Sequence, residues 1–245
     1  MNELGDVRES RHFDRLALEY EERIGLTSRA AAHKVRRLSA RFALWLAKSP
    51  EGPIVEIGAG TGFLTRHLAP LLPDRRYVAT DLSAGMVEAA CGAGVQPGNV
   101  EWLQADCLNL AYGSATVAGV VGHGILHHLP LEAAVAEISR VLMPAGRIAF
   151  YEPNIVNPVV FLEKKVPFFR LETDTLGETG LLESTVRRKL LRHGFEAIDV
   201  TACEFVPNQV PGRLVPYAER ISGCLDRIPL VRRIGGSLRI LAVKA

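Results

Sequence analysis

The sequence predicts an open α/β sheet with helices packed on both faces. Three observations support this prediction: an apolar run at Pro53–Ile57 leads into alternating glycines, short apolar runs recur between amphipathic segments, and acidic residues stand where several of these runs end. Strands that alternate with helical patterns are typical of parallel sheets. An apolar fraction of 48% over 245 residues is ordinary for one globular domain that carries a lid.

Periodicity assigns the elements in chain order. Helices are predicted where apolar residues recur at intervals of three and four, at Glu9–Ile24, Arg29–Lys48, Phe63–Leu72, Ser83–Ala93, Leu131–Leu142, Glu183–His193 and Leu214–Ile228. Strands are predicted in the short apolar runs Pro53–Ile57, Tyr77–Thr80, Asn99–Gln104, Ala115–Val121, Arg147–Tyr151, Ala197–Cys203 and Ser237–Val243. A turn at Met143–Gly146 precedes the fifth strand, and the last pair of strands is antiparallel. The predicted fold class is a Rossmann-like, seven-stranded, mostly parallel sheet.

The loop after the first strand has the composition of a nucleotide-binding turn. Glycines 58, 60 and 62 permit a tight turn and a close approach of backbone to a ligand, and the next helix begins with unpaired N–H groups. A dinucleotide fingerprint G-x-G-x-x-G would place its third glycine at Phe63, one residue later than Gly62. The turn therefore predicts a nucleotide site of another kind.

Acidic residues close three of the predicted strands. Glu56 lies in the first, Asp81 follows the second and Asp106 follows the third. The carboxyl ends of parallel strands share one edge of the sheet, where ligands of such folds bind. An acid at the position of Asp81, about 20 residues beyond the glycines, can accept hydrogen bonds from both ribose hydroxyls.

These motifs resemble those of class I S-adenosylmethionine-dependent methyltransferases of the small-molecule and quinone type. The string Glu56-x-Gly58-x-Gly60-x-Gly62 is similar to their first motif, and Asp81-Leu82-Ser83-x-x-Met86 to their second. Phe13–Tyr20 resembles their N-terminal helix, and the loop from Gly122 to Pro130 resembles the one after their fourth strand. The resemblance covers nearly the whole chain and implies S-adenosyl-L-methionine as the cofactor.

The resemblance also implies roles for individual residues. An acid at Asp106 accepts from the adenine amino group, the N–H of Cys107 donates to the ring, Met86 packs near the adenine, and Tyr20 helps close the pocket. The full set of cofactor residues expected is Tyr20, Glu56, Gly58, Ala59, Gly60, Gly62, Asp81, Leu82, Met86, Asp106, Cys107, Gly122 and His123.

Three histidines are candidates for a general base. His123 ends the fourth strand, and His127 and His128 follow in the next loop; Glu152 after strand five is a further candidate. Imidazole suits proton removal near neutral pH. Other roles are equally compatible with the sequence. The imidazoles can hydrogen-bond to backbone carbonyls, and His123 can line the methionine half of the cofactor. Methyl transfer can also proceed by proximity alone, without a base.

The remaining segments bear on the acceptor and on partners. We expect residues 1–50 to form an N-terminal helical lid, 51–245 the cofactor-binding domain, and insertions at about 153–182 and 206–236 the acceptor pocket. Aromatic residues in the insertions indicate an apolar or aromatic small-molecule acceptor: Phe161, Phe168, Phe169 and Tyr217. We expect a monomer or a homodimer, and the sequence does not distinguish between the two.

Charge and cysteine usage limit the other partners. The net charge of +2 is too small to argue for nucleic acid. From Val206 onward, seven basic residues stand against two acidic ones among Leu, Ile and Val. This pattern is compatible with a solvated helix face, an anionic ligand or peripheral contact with a membrane. Four scattered cysteines indicate neither a metal site nor a disulfide framework, and the polar segment Met1–Ser10 does not resemble a secretory signal, so we expect a cytoplasmic protein.

Three other functions remain open at this stage. The first is an enzyme of the same fold that uses bound S-adenosylmethionine in an eliminative, decarboxylative or pericyclic reaction. The second is a nicotinamide-dependent reductase, which Phe63 in place of a glycine and the lack of a Tyr-x-x-x-Lys pair disfavour. The third is a protein that binds the cofactor without reaction.

Overall fold

The computed structural model describes residues 12–14, 16–17, 19–94, 96–165, 180–208 and 210–245. The helices are α1 Tyr20–Arg23, α2 Arg29–Leu46, α3 Thr65–Leu68, α4 Ala84–Gly92, α5 Leu131–Val141, α6 Pro158–Lys165, α7 Glu183–Arg192, α8 Val215–Leu225 and α9 Pro229–Arg232. The strands are β1 Ile54–Ile57, β2 Tyr77–Asp81, β3 Val100–Gln104, β4 Val117–His123, β5 Leu142–Pro153, β6 Phe195–Cys203 and β7 Ser237–Lys244. Short 3₁₀ helices occur at Ala69–Leu71 and Leu126–His128.

The strands form one seven-stranded sheet in the order β3-β2-β1-β4-β5-β7-β6. The pairs from β3 to β5 are parallel, and β7 runs antiparallel to both of its neighbours. The predicted fold class is thus confirmed. The strand order reverses beside β1, so the carboxyl ends of β1 and β4 flank a crevice of the kind where ligands bind.

Helices cover both faces of the sheet because its strands carry apolar side chains on both faces, and these side chains must be shielded from water. One core cluster joins the sheet to α5 and α7, and the other joins it to α2 and α3. Val35, Phe42 and Leu46 of α2 are fully buried in the second cluster. The helix α2 is therefore part of the body of the domain.

Most predicted elements lie within a few residues of the observed ones. Ser28 caps α2 as expected, its side-chain oxygen accepting from the N–H of Ala31 at 3.1 Å. The predicted turn at Met143–Gly146 falls inside β5, where Ala145 adopts a φ of 62° and the pairing with β4 shifts register. The predicted basic helix Leu214–Ile228 is shorter in the structure, where α8 ends at Leu225 and Pro229 begins a separate short helix, α9.

The two insertions lie at different places. Residues 206–236 pack on α2 through a small cluster of Ala30, Val206 and Val215, and Arg37 of α2 contacts Glu204 at 2.7 Å. Residues 153–182 contain α6, while 166–179, and with them Phe168 and Phe169, lie outside the described residues.

Gly62 is required by packing as well as by its backbone conformation. It has a φ of +84°, and a Cβ there would lie 2.5 Å from the ring of Trp102. We expect Gly62→Ala to lower the free energy of unfolding by about 2–4 kcal/mol, from overpacking added to the left-handed conformation. Gly94 is the matched control, because its φ is +67° and nothing lies within 4 Å of its Cβ position. Gly94→Ala should cost about 1 kcal/mol in denaturant titrations, and equal losses would contradict the packing argument.

Candidate functional site

The glycine turn after β1 depends on left-handed backbone. Gly58 and Gly60 have φ angles of +62° and +54°. A Cβ on Gly58 would lie 2.5 Å from Ile125, whereas the Cβ position of Gly60 is open. The N–H of Gly60 donates to Oδ2 of Asp81 at 2.8 Å, so the turn is held against the end of β2.

Asp81 connects the glycine turn to the start of α4. Its Oδ1 accepts from the N–H of Ser83 at 2.9 Å, and Ser83 in turn caps α4 by accepting from the N–H of Met86 at 3.0 Å. Burial raises the pKa of Asp81, and the two backbone N–H groups oppose that rise. A carboxylate has about four acceptor sites, so lone pairs remain for two neighbouring hydroxyls.

Glu56 lies beneath the turn in a polar contact of its own. Its Oε2 accepts from the hydroxyls of Thr65 at 2.7 Å and Tyr77 at 2.5 Å. Burial raises its pKa to about 7, although both hydroxyls favour the ionised form. Asp106 lies in different surroundings, because it is exposed at the end of β3.

These elements enclose a cavity of about 280 Å³ at the carboxyl ends of β1, β2 and β4. Eleven of the thirteen predicted cofactor residues line it: Tyr20, Glu56, Gly58, Ala59, Gly60, Asp81, Leu82, Met86, Asp106, Cys107 and His123. Gly62 and Gly122 do not line the cavity. A Cβ added at Gly122 would lie 2.7 Å from the side chain of Ile125. His127 and His128 also line the cavity.

The chain's N-terminal part covers this cavity through two carboxylates that sequence reasoning missed. Asp14 accepts from the hydroxyl of Ser83 at 2.5 Å and from the N–H of Gly85 at 3.0 Å. Glu21 accepts from the hydroxyl of Thr61 at 2.7 Å and pairs with Arg66. Both tethers join residues 40 or more positions apart in sequence, so no local pattern indicates them.

Glu152 organises the loop that carries the histidines. Its Oε1 accepts from the N–H groups of Ile125 at 3.0 Å and Leu126 at 2.9 Å, and its Oε2 accepts from Nδ1 of His127 at 2.9 Å. Burial alone would raise the pKa of Glu152, but the His127 ring and these N–H groups hold it below its usual value. An ionised carboxylate only accepts, so Nδ1 of His127 carries the proton and Nε2 is the ring's acceptor.

The other candidate histidines have different surroundings. His123 stacks on Tyr151 with ring centroids 5.5 Å apart and planes 8° from parallel. Burial lowers its pKa to about 4. His128 contacts the edge of Phe13, with centroids 5.8 Å apart. Burial also lowers the pKa of His127, and Glu152 opposes that fall.

The insertions contribute unequally to the cavity. Lys164 of α6, which is 9% exposed, lines it, whereas no described residue of 206–236 does. Tyr217 is 68% exposed and Phe161 48% exposed, so neither predicted aromatic is buried at the site. Lys164 was missed because it stands in a mixed run of charged and apolar residues that gives no motif.

The fold and the site define a nucleotide-binding α/β protein, and comparisons identify its family. A family model described as a methyltransferase domain matches residues 54–146. The ubiquinone/menaquinone biosynthesis C-methyltransferase UbiE of Syntrophotalea carbinolica is 32% identical over 142 residues, which are 57% of this chain and 59% of that protein. The uncharacterized methyltransferase YodH of Bacillus subtilis is 31% identical over 180 residues, 72% of this chain and 74% of that one.

A solved structure extends the likeness over the whole fold. The crystal structure of an S-adenosylmethionine-dependent methyltransferase from Thermotoga maritima aligns with a TM-score of 0.61 at 19% identity, covering 97% of this chain and all of that one. This chain belongs to the S-adenosylmethionine-dependent methyltransferases, and S-adenosyl-L-methionine is its cofactor. The family and the cofactor predicted from the sequence are confirmed.

Proposed function

We propose that this protein methylates a small, apolar or aromatic acceptor by in-line transfer. The observation that carries the proposal is the cavity in which the glycine turn, Asp81 and the His127–Glu152 pair meet. The UbiE relative acts in ubiquinone and menaquinone biosynthesis, which supports an acceptor of the quinone-precursor type. The apolar side chains Phe13, Ile24 and Leu129 in the cavity wall suit such a ring.

The residues of the cavity fit the cofactor's parts. Asp81 is proposed to accept from the ribose hydroxyls, while Asp106 and the N–H of Cys107 pair with the adenine. Leu82 and Met86 would contact the adenine face, and the glycine turn with Glu56 would accommodate the methionine half. When bound, the cofactor supplies a methyl group on a positively charged sulfur.

The chain's own contribution is alignment, exclusion of water and proton removal. We assign the base to His127, because Glu152 orients its ring and stabilises the imidazolium that forms on proton uptake. His123, stacked and with its pKa near 4, is proposed to form a wall of the cavity. His128 and Tyr20, together with Phe13, are proposed to close the site beside the N-terminal segment.

We also propose a cytoplasmic enzyme, monomeric or homodimeric, with peripheral membrane contact through its basic C-terminal segment. Among the described residues, no helix has the length and apolar character needed to cross a membrane. We propose that the lid includes Phe13 and Tyr20 before α2 and Lys164 of the 153–182 insertion, since all three line the cavity.

The test is incubation of the protein with S-adenosylmethionine and a panel of demethylated quinone precursors and other phenols. The expected result is S-adenosylhomocysteine and methylated acceptor in equal amounts. If the acceptor were converted without formation of S-adenosylhomocysteine, the protein would catalyse a non-methylating reaction and not methyl transfer. Binding of the cofactor with no reaction across the panel would count against the acceptor class.

A further inference from the structure

Both α8 and α9 expose apolar side chains. Tyr217 and Ile221 of α8 are 68% and 60% exposed, and Leu230 of α9 is 74% exposed. Leu214, the N-cap of α8, and Ile228, the N-cap of α9, are each 47% exposed. Exposed apolar side chains that cluster rather than scatter indicate a contact surface. We call these five residues, with the arginines described next, the basic apolar surface.

Arginines accompany the apolar residues at a regular spacing. Arg213, Arg220 and Arg227 are exposed and recur every seven residues, each directly before Leu214, Ile221 or Ile228. Seven residues are close to two helical turns, so Ile221 lies on the same side of α8 as its N-cap residue Leu214. Arg227 and Ile228 lie in the turn between α8 and α9. Arg232 and Arg233 add two more exposed cations at α9.

The two acids of this segment do not neutralise the surface. Glu219 turns toward α2, where it contacts His33 at 2.6 Å and Arg37 at 3.5 Å, and its side chain is 17% exposed. Val215 and Ser222 lie on the same inner side and are buried. Asp226 is half-buried. The outer side therefore combines apolar and cationic groups, while the inner side holds the helix on the domain.

The first insertion continues this surface. Nδ2 of Asn157 donates to the carbonyl of Ile234 at 2.7 Å, so the start of α6 meets the end of α9. Val159, two residues after Asn157, is 61% exposed, and Ile234 is 42% exposed. Because Lys164 of the same helix lines the cavity, the surface and the cavity share α6.

We propose that the basic apolar surface docks on an anionic lipid bilayer. An amphipathic helix with arginines beside its apolar stripe lies in the membrane interface, where the stripe enters the acyl boundary and the guanidinium groups meet phosphates. The charge favours this occupant over a second copy, since two such surfaces would place like charges opposite each other. This inference deepens the proposed function, on whose peripheral membrane contact it rests, and places a lipid-soluble acceptor near the cavity.

The test is co-sedimentation of the full chain with vesicles of phosphatidylcholine, with and without phosphatidylglycerol. We expect binding to the anionic vesicles only, weakened by raised salt. Arg220→Gln with Arg227→Gln should weaken it about 10- to 30-fold, given the usual contribution of a cation near an anionic membrane. Tyr217→Ser with Ile221→Ser should also weaken binding, but with less change in its salt dependence.

Matched controls lie on α7, which packs on the opposite face of the sheet from α2. Arg188→Gln with Arg192→Gln removes two exposed arginines there, and Leu191→Ser removes an apolar side chain 60% exposed. These variants should bind vesicles like the parent. The proposal would be overturned if the protein did not sediment with anionic vesicles, or if the α7 control variants lost as much vesicle binding as the α8 variants. It would also be overturned by a dimer in ultracentrifugation that only Tyr217→Ser with Ile221→Ser dissociates. Binding of S-adenosylhomocysteine, measured on the same samples, tests the proposed function separately.

Discussion

Replacing Asp81 by alanine is expected to weaken binding of S-adenosylhomocysteine by about 10- to 100-fold, or roughly 1–3 kcal/mol, because ribose hydroxyls would lose their acceptor in a buried site. The carboxylate also holds the N–H groups of Gly60 and Ser83, so part of the loss would come from a looser glycine turn. Isothermal calorimetry on folded protein measures the effect directly.

The control for this substitution is Asp74→Ala. Asp74 is an exposed carboxylate in the loop before β2, at the opposite edge of the sheet, and should leave affinity unchanged. Asp81→Asn retains one acceptor oxygen and should give an intermediate loss. Unchanged affinity in Asp81→Ala with an unchanged melting temperature would refute the ribose assignment.

Removal of His127 is the second large effect expected. His127→Ala should lower kcat by about 10²-fold if the ring takes the acceptor's proton, while affinity for S-adenosylhomocysteine stays near that of the parent. His67→Ala serves as the control, because His67 bonds the carbonyl of Phe63 and does not line the cavity. Unaltered kcat in His127→Ala would leave proximity as the mechanism.

The pH dependence separates a base from a purely structural role. If His127 is the base, its neutral ring is the active form. Because burial lowers the pKa of His127 from the usual 6.5, kcat should then fall, on the acid limb of its pH profile, only below pH 6.5. Glu152 raises that pKa, and Glu152→Gln should therefore move the limb to lower pH while reducing kcat. If the acid limb of the kcat profile did not move in Glu152→Gln, the role of Glu152 would be only to hold the conformation of the loop that carries His127.

Much of the fold could be predicted because its signals are local. The glycine turn, the cap at Ser28 and the acid at Asp81 each follow from a few neighbouring residues and the geometry of a strand end. The alternation of strands with helical segments then limits the sheet to few topologies. The cofactor half of the cavity is accordingly lined by almost the whole predicted set.

The remaining features depend on which distant segments the sheet brings together. Glu152 could be proposed as a base from its position, but its contacts with Ile125, Leu126 and His127 arise only because β5 pairs with β4. Tyr217 is an aromatic residue of the kind found in pockets, yet it is exposed. The reason is that α8 packs on α2 through a different side, the one that carries Val215.

The sheet and the family could be predicted from short segments, because periodicity and turn chemistry are local properties. The folded domain was needed to show that Gly62 and Gly122 serve packing, that Asp14 and Glu21 bond residues beside the cavity, and that His127 has a carboxylate partner. The hydrogen bonds of Asp14, Glu21 and His127 join residues between 25 and 69 positions apart, so their formation depends on the packing of the whole domain.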